Sequence, residues 1–146
     1  MATELTARVE LEDKMRFIGR GNGDQGVVID YPPPLGDDSG MRGGLQLLLM
    51  ALAACMGQTV MPLLRKMRQN VDGCVVEARG QRREEHPTVL TGIQLLFTVR
   101  GTGLDAVQIR KAVELAETWY CPVHAMLKGS TPIVTKVELV GSSKTP

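Results

Sequence analysis

The chain has 146 residues, 43% of them hydrophobic and 23% charged, the proportions of an ordinary soluble globular protein with enough material for a real core. Seventeen basic and sixteen acidic residues leave a net charge of +1, and aromatic content is only 3%. This balance argues against nucleic-acid and membrane surfaces and against stacking platforms for single strands. With no apolar leader, the three cysteines are expected to be thiols of a reducing, cytoplasmic compartment and not a disulfide framework.

Residues 4–31 predict a short β-meander. Ala7, Val9 and Leu11 alternate with Arg8, Glu10 and Glu12, and a turn at 12–14 leads into a second strand at 15–18. Gly21-Asn22-Gly23-Asp24 is the next turn, and Val27, Ile29 and Tyr31 carry a third strand. Pro32, Pro33 and Pro34 end it, because prolines supply no ladder amides.

From about residue 44 to 69 the pattern is helical. Residues 43–61 carry no charge but contain Gln46, Gly57, Gln58 and Thr59, which favours a buried core helix over a membrane span. Apolar residues all round the first half predict burial on every side, and Pro62 predicts a kink near Gln58. Arg65, Lys66 and Arg68 suit a helix end emerging into solvent.

Two strands follow, one with Cys74, Val76 and Ala78 on one face, the other with Ile93, Leu95, Phe97 and Val99. Asp105 is placed to cap a helix running to about Tyr120, a short helix is expected to start at Cys121-Pro122, and 133–140 gives a last strand. The order βββαββααβ predicts an α+β fold in a single domain, 1–146, with a loose tail at 141–146.

The chemistry rests on the cysteines. Cys55 lies between Ala54 and Met56 in the most apolar stretch, where a buried structural cysteine is the plain reading. Cys121 precedes Pro122, and proline favours the first helical position, so Cys121 is expected to be an N-cap. Unpaired amides and the helix dipole there predict a lowered thiol pKa. His124 either tunes that thiol or lies exposed on the helix. Cys121 and His124 also have the spacing of a metal half-site. The remaining thiols and imidazole, Cys55, Cys74 and His86, read more simply as core or solvated groups, so no metal is expected. The glycines at 19, 21 and 23 read as a turn, not a phosphate loop.

Together these pieces resemble the OsmC/Ohr family of osmotically inducible and organic hydroperoxide resistance proteins over nearly the whole chain. The resemblance is carried by Leu47-Leu48-Leu49-Met50-Ala51-Leu52-Ala53-Ala54-Cys55 and by Glu117-Thr118-Trp119-Tyr120-Cys121-Pro122-Val123. Met15-Arg16-Phe17-Ile18-Gly19 and Asp38-Ser39-Gly40-Met41-Arg42 are most similar to the OsmC-like branch of unassigned function. The resemblance implies a long central helix packed against antiparallel sheets, in an intertwined homodimer with sites at the interface. It also implies reduction of organic hydroperoxides, with Cys55 peroxidatic and Cys121 resolving through a Cys55–Cys121 disulfide. An external dithiol such as dihydrolipoamide would be the reductant, with no bound cofactor.

Arg20, after Gly19, matches the family's active arginine, whose guanidinium would hold a thiolate and a developing alkoxide. The long helix departs from the family by opening Gly44-Leu45-Gln46. The glutamate that pairs with the arginine would fall at Leu45 or Gln46, and the Gln46 amide can bond an arginine without neutralising it. Low peroxidase efficiency is therefore expected. The rival expectation is a protein of the same fold that binds a small apolar ligand at the dimer interface, lined by Met50, Met56, Met61 and Met67. Plain core or dimer packing is the more ordinary role of those methionines.

Overall fold

The structure is a computed structural model that describes residues 3–142. It divides into two compact units, one through Leu48 and one from Leu49 onward.

In the first unit β1 (Arg8–Asp13), β2 (Arg16–Arg20) and β3 (Gly26–Ile29) form an antiparallel sheet in that order. The strands arise where the alternation and turn signals place them, with Ile18 opposite both Glu10 and Val28. The third strand stops at Ile29, short of Tyr31, because Asp30 turns inward and organises the loop that follows. Its buried carboxylate accepts the amides of Tyr31, Asp37 and Ser39 and the Ser39 hydroxyl. Those hydrogen bonds, the hydroxyl's foremost, hold the Asp30 carboxyl down to about 2. Met41 then returns beside Ile29, its amide donating to the Val28 carbonyl at 2.8 Å.

α1 (Gly44–Lys66) is the long helix and runs on through Pro62. Leu52, Met56, Val60 and Leu64 recur every fourth residue and are fully buried. Within one chain burial is confined to this stripe: Met50 is 51% exposed, and Ala51, Ala54 and Gln58 are open as well. One chain covers one side of the helix. The covering sheet approaches closely at Gly57, where an added Cβ would stand 3.4 Å from Val76 of the next strand. By length and a mean hydropathy of 1.9 alone α1 could cross a membrane, but its stripe is core of the second unit.

β4 (Asn70–Arg82), β5 (Leu90–Thr102) and β6 (Ile133–Gly141) form the second sheet in that order. Ile93, Leu95, Phe97 and Val99 of β5 supply its buried face. β4 and β5 are antiparallel, but β5 and β6 are parallel, so this sheet is mixed and not antiparallel throughout as expected. The helices between β5 and β6 form the crossover that a parallel pair requires. They are α2 (Ala106–Leu115), a π-helical turn over Ala116–Tyr120, and α3 (Pro122–Leu127). Asp105 caps α2 by accepting the Val107 amide at 3.0 Å. The expected α+β order is thus present. Of the expected loose tail, Gly141 closes β6 and the Ser142 amide donates to the Gly101 carbonyl; 143–146 lie outside the described residues.

Candidate active site

Cys121 sits where the π-helical turn meets α3. Its amide closes the turn by donating to the Ala116 carbonyl five residues back, and its backbone then extends to φ −81°, ψ 109°. Pro122 takes the first helical position, and the Cys121 Sγ accepts the His124 amide at 3.4 Å, so the expected N-cap is present. Cys55 lies mid-way along α1, half-buried, beside the core stripe. Cys55 is the neighbouring thiol that bears on the ionisation of Cys121, and both are free thiols.

The expected lowering of the Cys121 pKa is overturned. Burial first, then the hydrogen bond to Cys55, push this thiol up to about 11, and the charge of a Cys55 thiolate adds to the rise. The amides of His124 and Val123 pull the other way but lose. The residue is only 2% exposed, and a six-residue helix offers little dipole to offset desolvation. Cys121 therefore keeps its proton at neutral pH.

His124 is buried at 5% exposure, not on an open helix face, and its Nε2 lies 3.6 Å from Glu117 Oε2. Sequence reasoning passed over Glu117, whose one visible signal is that it and His124 flank Cys121. The π-helical turn also escaped it, because its residues read equally well as ordinary helix. That turn leaves Trp119 and Tyr120 exposed immediately before the buried thiol.

Arg20 and Gln46 belong to the first unit. Arg20 ends β2, exposed, opposite Arg8 and Gly26. Gln46 accepts the Arg42 amide at 2.8 Å through its side-chain oxygen, closing the start of α1 in the manner of a capping box, and Leu45 beside it is half-buried. Among the described residues no three of His, Cys, Asp and Glu converge as metal ligands would.

Of the four methionines, Met50 and Met61 line an open groove of about 720 Å³ with Ala53, Ala54, Cys74 and Val76. Met56 lies in the core stripe instead, and Met67 is half-buried beyond the helix end. Cys74, expected in the core, is half-buried on that groove, where partial burial raises its thiol pKa.

The family model described as OsmC-like protein matches residues 36–136. Protein YhfA of Escherichia coli (strain K12) is 31% identical over 140 residues, spanning 94% of this chain and 100% of its own. The OsmC-like protein from Mycoplasma pneumoniae superposes with a TM-score of 0.82 at 20% identity, covering 96% of this chain and 99% of that one. An organic hydroperoxide resistance protein OsmC from Legionella pneumophila superposes at 0.68 and 14% identity, over 94% and 98% of the two chains. A family match over most of the chain, a relative of nearly equal length and a shared fold agree: the chain belongs to the OsmC-like protein family.

Proposed function

We propose that this protein is a cysteine-based peroxidase of organic hydroperoxides, of low efficiency. The observation that carries the reading is the pairing of two free thiols, with Cys55 of α1 close enough to Cys121 at the start of α3 to shift its ionisation. In this reading a Cys55 thiolate attacks the peroxide oxygen, the O–O bond breaks, and Cys55 becomes a sulfenic acid while the alkoxide takes a proton to leave as alcohol. Cys121 then attacks the sulfenic sulfur. Its thiol proton leaves with the hydroxyl as water, and a Cys55–Cys121 disulfide remains. An external dithiol such as dihydrolipoamide restores both thiols and is itself oxidised. Hydroperoxide resistance named for the Legionella pneumophila neighbour supports the substrate class.

Arg20 is assigned, by family resemblance, to hold the thiolate and the developing alkoxide, and the open face of α1 supports a homodimer. The efficiency is set low because Leu45 and Gln46 stand where a carboxylate would orient that arginine, and preorganisation supplies much of an electrostatic contribution. Arg20→Ala should slow the reaction, and Leu45→Glu or Gln46→Glu should quicken it.

The test is one equivalent of an alkyl hydroperoxide added to the reduced protein, with thiols followed by peptide mapping. Cys55 and Cys121 should disappear together into one crosslinked peptide. Unreacted Cys55, or a crosslink through Cys74, overturns the reading. The groove beside α1 favours the second reading, capture of a small apolar ligand with little turnover. An inert Cys55, with an apolar probe bound in a manner that Met61→Glu abolishes, would establish it instead.

A further inference from the structure

Glu117, in the π-helical turn, and His124, in the first turn of α3, flank the buried thiol on either side. The His124 ring is buried and neither of its nitrogens has a hydrogen-bond partner. Leaving a buried polar group unmatched is unfavourable, so a buried imidazole of this kind calls for a reason. The nearest acid is Glu117, whose Oε2 stands 3.6 Å from Nε2, one small adjustment short of a hydrogen bond.

Burial, with Glu114 adding to it, raises the Glu117 pKa; burial, with Lys128 adding to it, lowers that of His124. Each group alone is driven toward its neutral form, and together they are suited to hold one proton between them. The couple joins the two elements that meet at Cys121, and the His124 amide that reaches Cys121 Sγ belongs to one of its members.

We propose that Glu117 and His124 form a proton-sharing couple that positions Cys121 for disulfide closure, a role that rests on the Cys55–Cys121 pairing proposed above. The couple fixes the first turn of α3, so that its amides stay aimed at Cys121 Sγ as negative charge develops there. With its proton the couple is neutral, whereas its loss leaves Glu117 negatively charged in the same turn, which opposes the thiolate that must attack. The other titratable groups bearing on this site are Glu114 on α2, Lys128 after α3 and the Cys55 thiol on α1. As pH rises the couple loses its proton while Cys121 ionises more readily, and closure should therefore show two opposed dependences.

The test needs no peroxide. In the full chain carrying Cys74→Ser, an aromatic disulfide (5,5′-dithiobis-2-nitrobenzoate) places one arylthiol on Cys55 and releases the other. Cys121 then attacks the Cys55 sulfur: the new S–S bond forms, the mixed disulfide breaks, the second arylthiolate leaves, and the Cys121 proton passes to solvent. The rate of this second phase is read from pH 5 to 9. Wild-type closure should rise and then bend over. Glu117→Gln and His124→Gln should slow it about tenfold, the scale of one lost hydrogen bond, and leave a simple rise with pH.

Because Glu117 is partly exposed, Glu117→Gln keeps the test valid if the buried His124 substitution unfolds. Glu117→Asp, which retains the acid, should recover the bend at a reduced rate. A folded Glu117→Gln protein that closes with the wild-type rate and profile overturns the couple alone. Absence of any second phase in wild type overturns the couple together with the disulfide. Normal closure in a protein inert to peroxide overturns only the peroxidase reading.

Discussion

The segments that carry Cys55 and Cys121 distribute access and ionisation in opposite ways. Cys55 lies in a 23-residue helix of almost unbroken apolar sequence, yet it is half-buried. Cys121 follows two exposed aromatic residues at the head of a six-residue helix, yet it is 2% exposed. The burial of a thiol is set by the packing around it and not by the polarity of its sequence neighbours. The half-buried thiol is the more accessible of the two. The sheltered one keeps its proton among the amides of α3 and beside Cys55.

The sharpest way to break this asymmetry is to remove each sulfur in turn. Cys55→Ser should reduce peroxide-dependent thiol loss to background. Cys121→Ser should leave a first reaction whose product is a sulfenic acid, trapped by dimedone and visible as an adduct on Cys55, with turnover lost. If Cys121→Ser instead abolishes the first step and Cys55→Ser spares it, the two roles are reversed. Cys74→Ser, altering the groove and neither role, should behave as wild type.

The second contrast lies within α1 itself. Leu64→Ala on the buried stripe should cost about 2–5 kcal/mol of stability in denaturant unfolding, from lost transfer energy and the cavity left behind. Met50→Ala, on the open face, should cost far less within one protomer. If a second copy covers that face, Met50→Glu should shift light scattering from twice the 15.9 kDa chain mass toward one. Obligate interfaces commonly bury above about 2,000 Å², which a charge at the centre of the face would oppose. A wild-type protein that is a stable monomer at low micromolar concentration would remove the dimer from the reading.

These contrasts also show how far the sequence could be read. The strands, α1, the Asp105 cap and the Cys121-Pro122 helix start were legible because period, turn residues and capping chemistry are local. The stripe of α1 was not, since helical positions that are all apolar do not say which of them a sheet will cover. The parallel β5–β6 pairing escaped for a related reason: alternation marks a strand's faces but not its neighbour's direction. For Cys121 the position was read correctly and the ionisation wrongly. The capping amides are local, whereas the burial and the Cys55 partner that outweigh them come from other elements.

That reversal has a pH signature of smaller size. The Cys121 pKa is raised from 9.0 to about 11 in the folded, reduced protein, so folding is favoured by the protonated thiol. The contribution is fully present below pH 9 and is lost as pH rises through about 11. The melting temperature of the reduced protein should fall over this window more steeply than that of Cys121→Ser, in which no thiol titrates at that site. Parallel curves for the two proteins would show that the cap amides, and not burial, govern Cys121.

The smallest expected effect separates the two ends of the reading of α1, its opening from its cysteine. Gln46 accepts the Arg42 amide at the helix start, and Gln46→Glu keeps an oxygen in that place while adding negative charge at the positive end of the helix. A gain of about 0.3–1 kcal/mol in unfolding free energy is expected, smaller at high salt because the site is exposed and screened. Gln46→Ala supplies the contrast, since it loses the cap and should destabilise by about the same amount. The proposed role beside Arg20 makes a separate demand, a faster peroxide reaction in Gln46→Glu that disappears when Arg20→Ala is added. If Gln46→Glu gains stability with no change in rate, position 46 is a cap and nothing more. If the rate rises with the stability and the rise depends on Arg20, one side chain serves both the helix start and the chemistry.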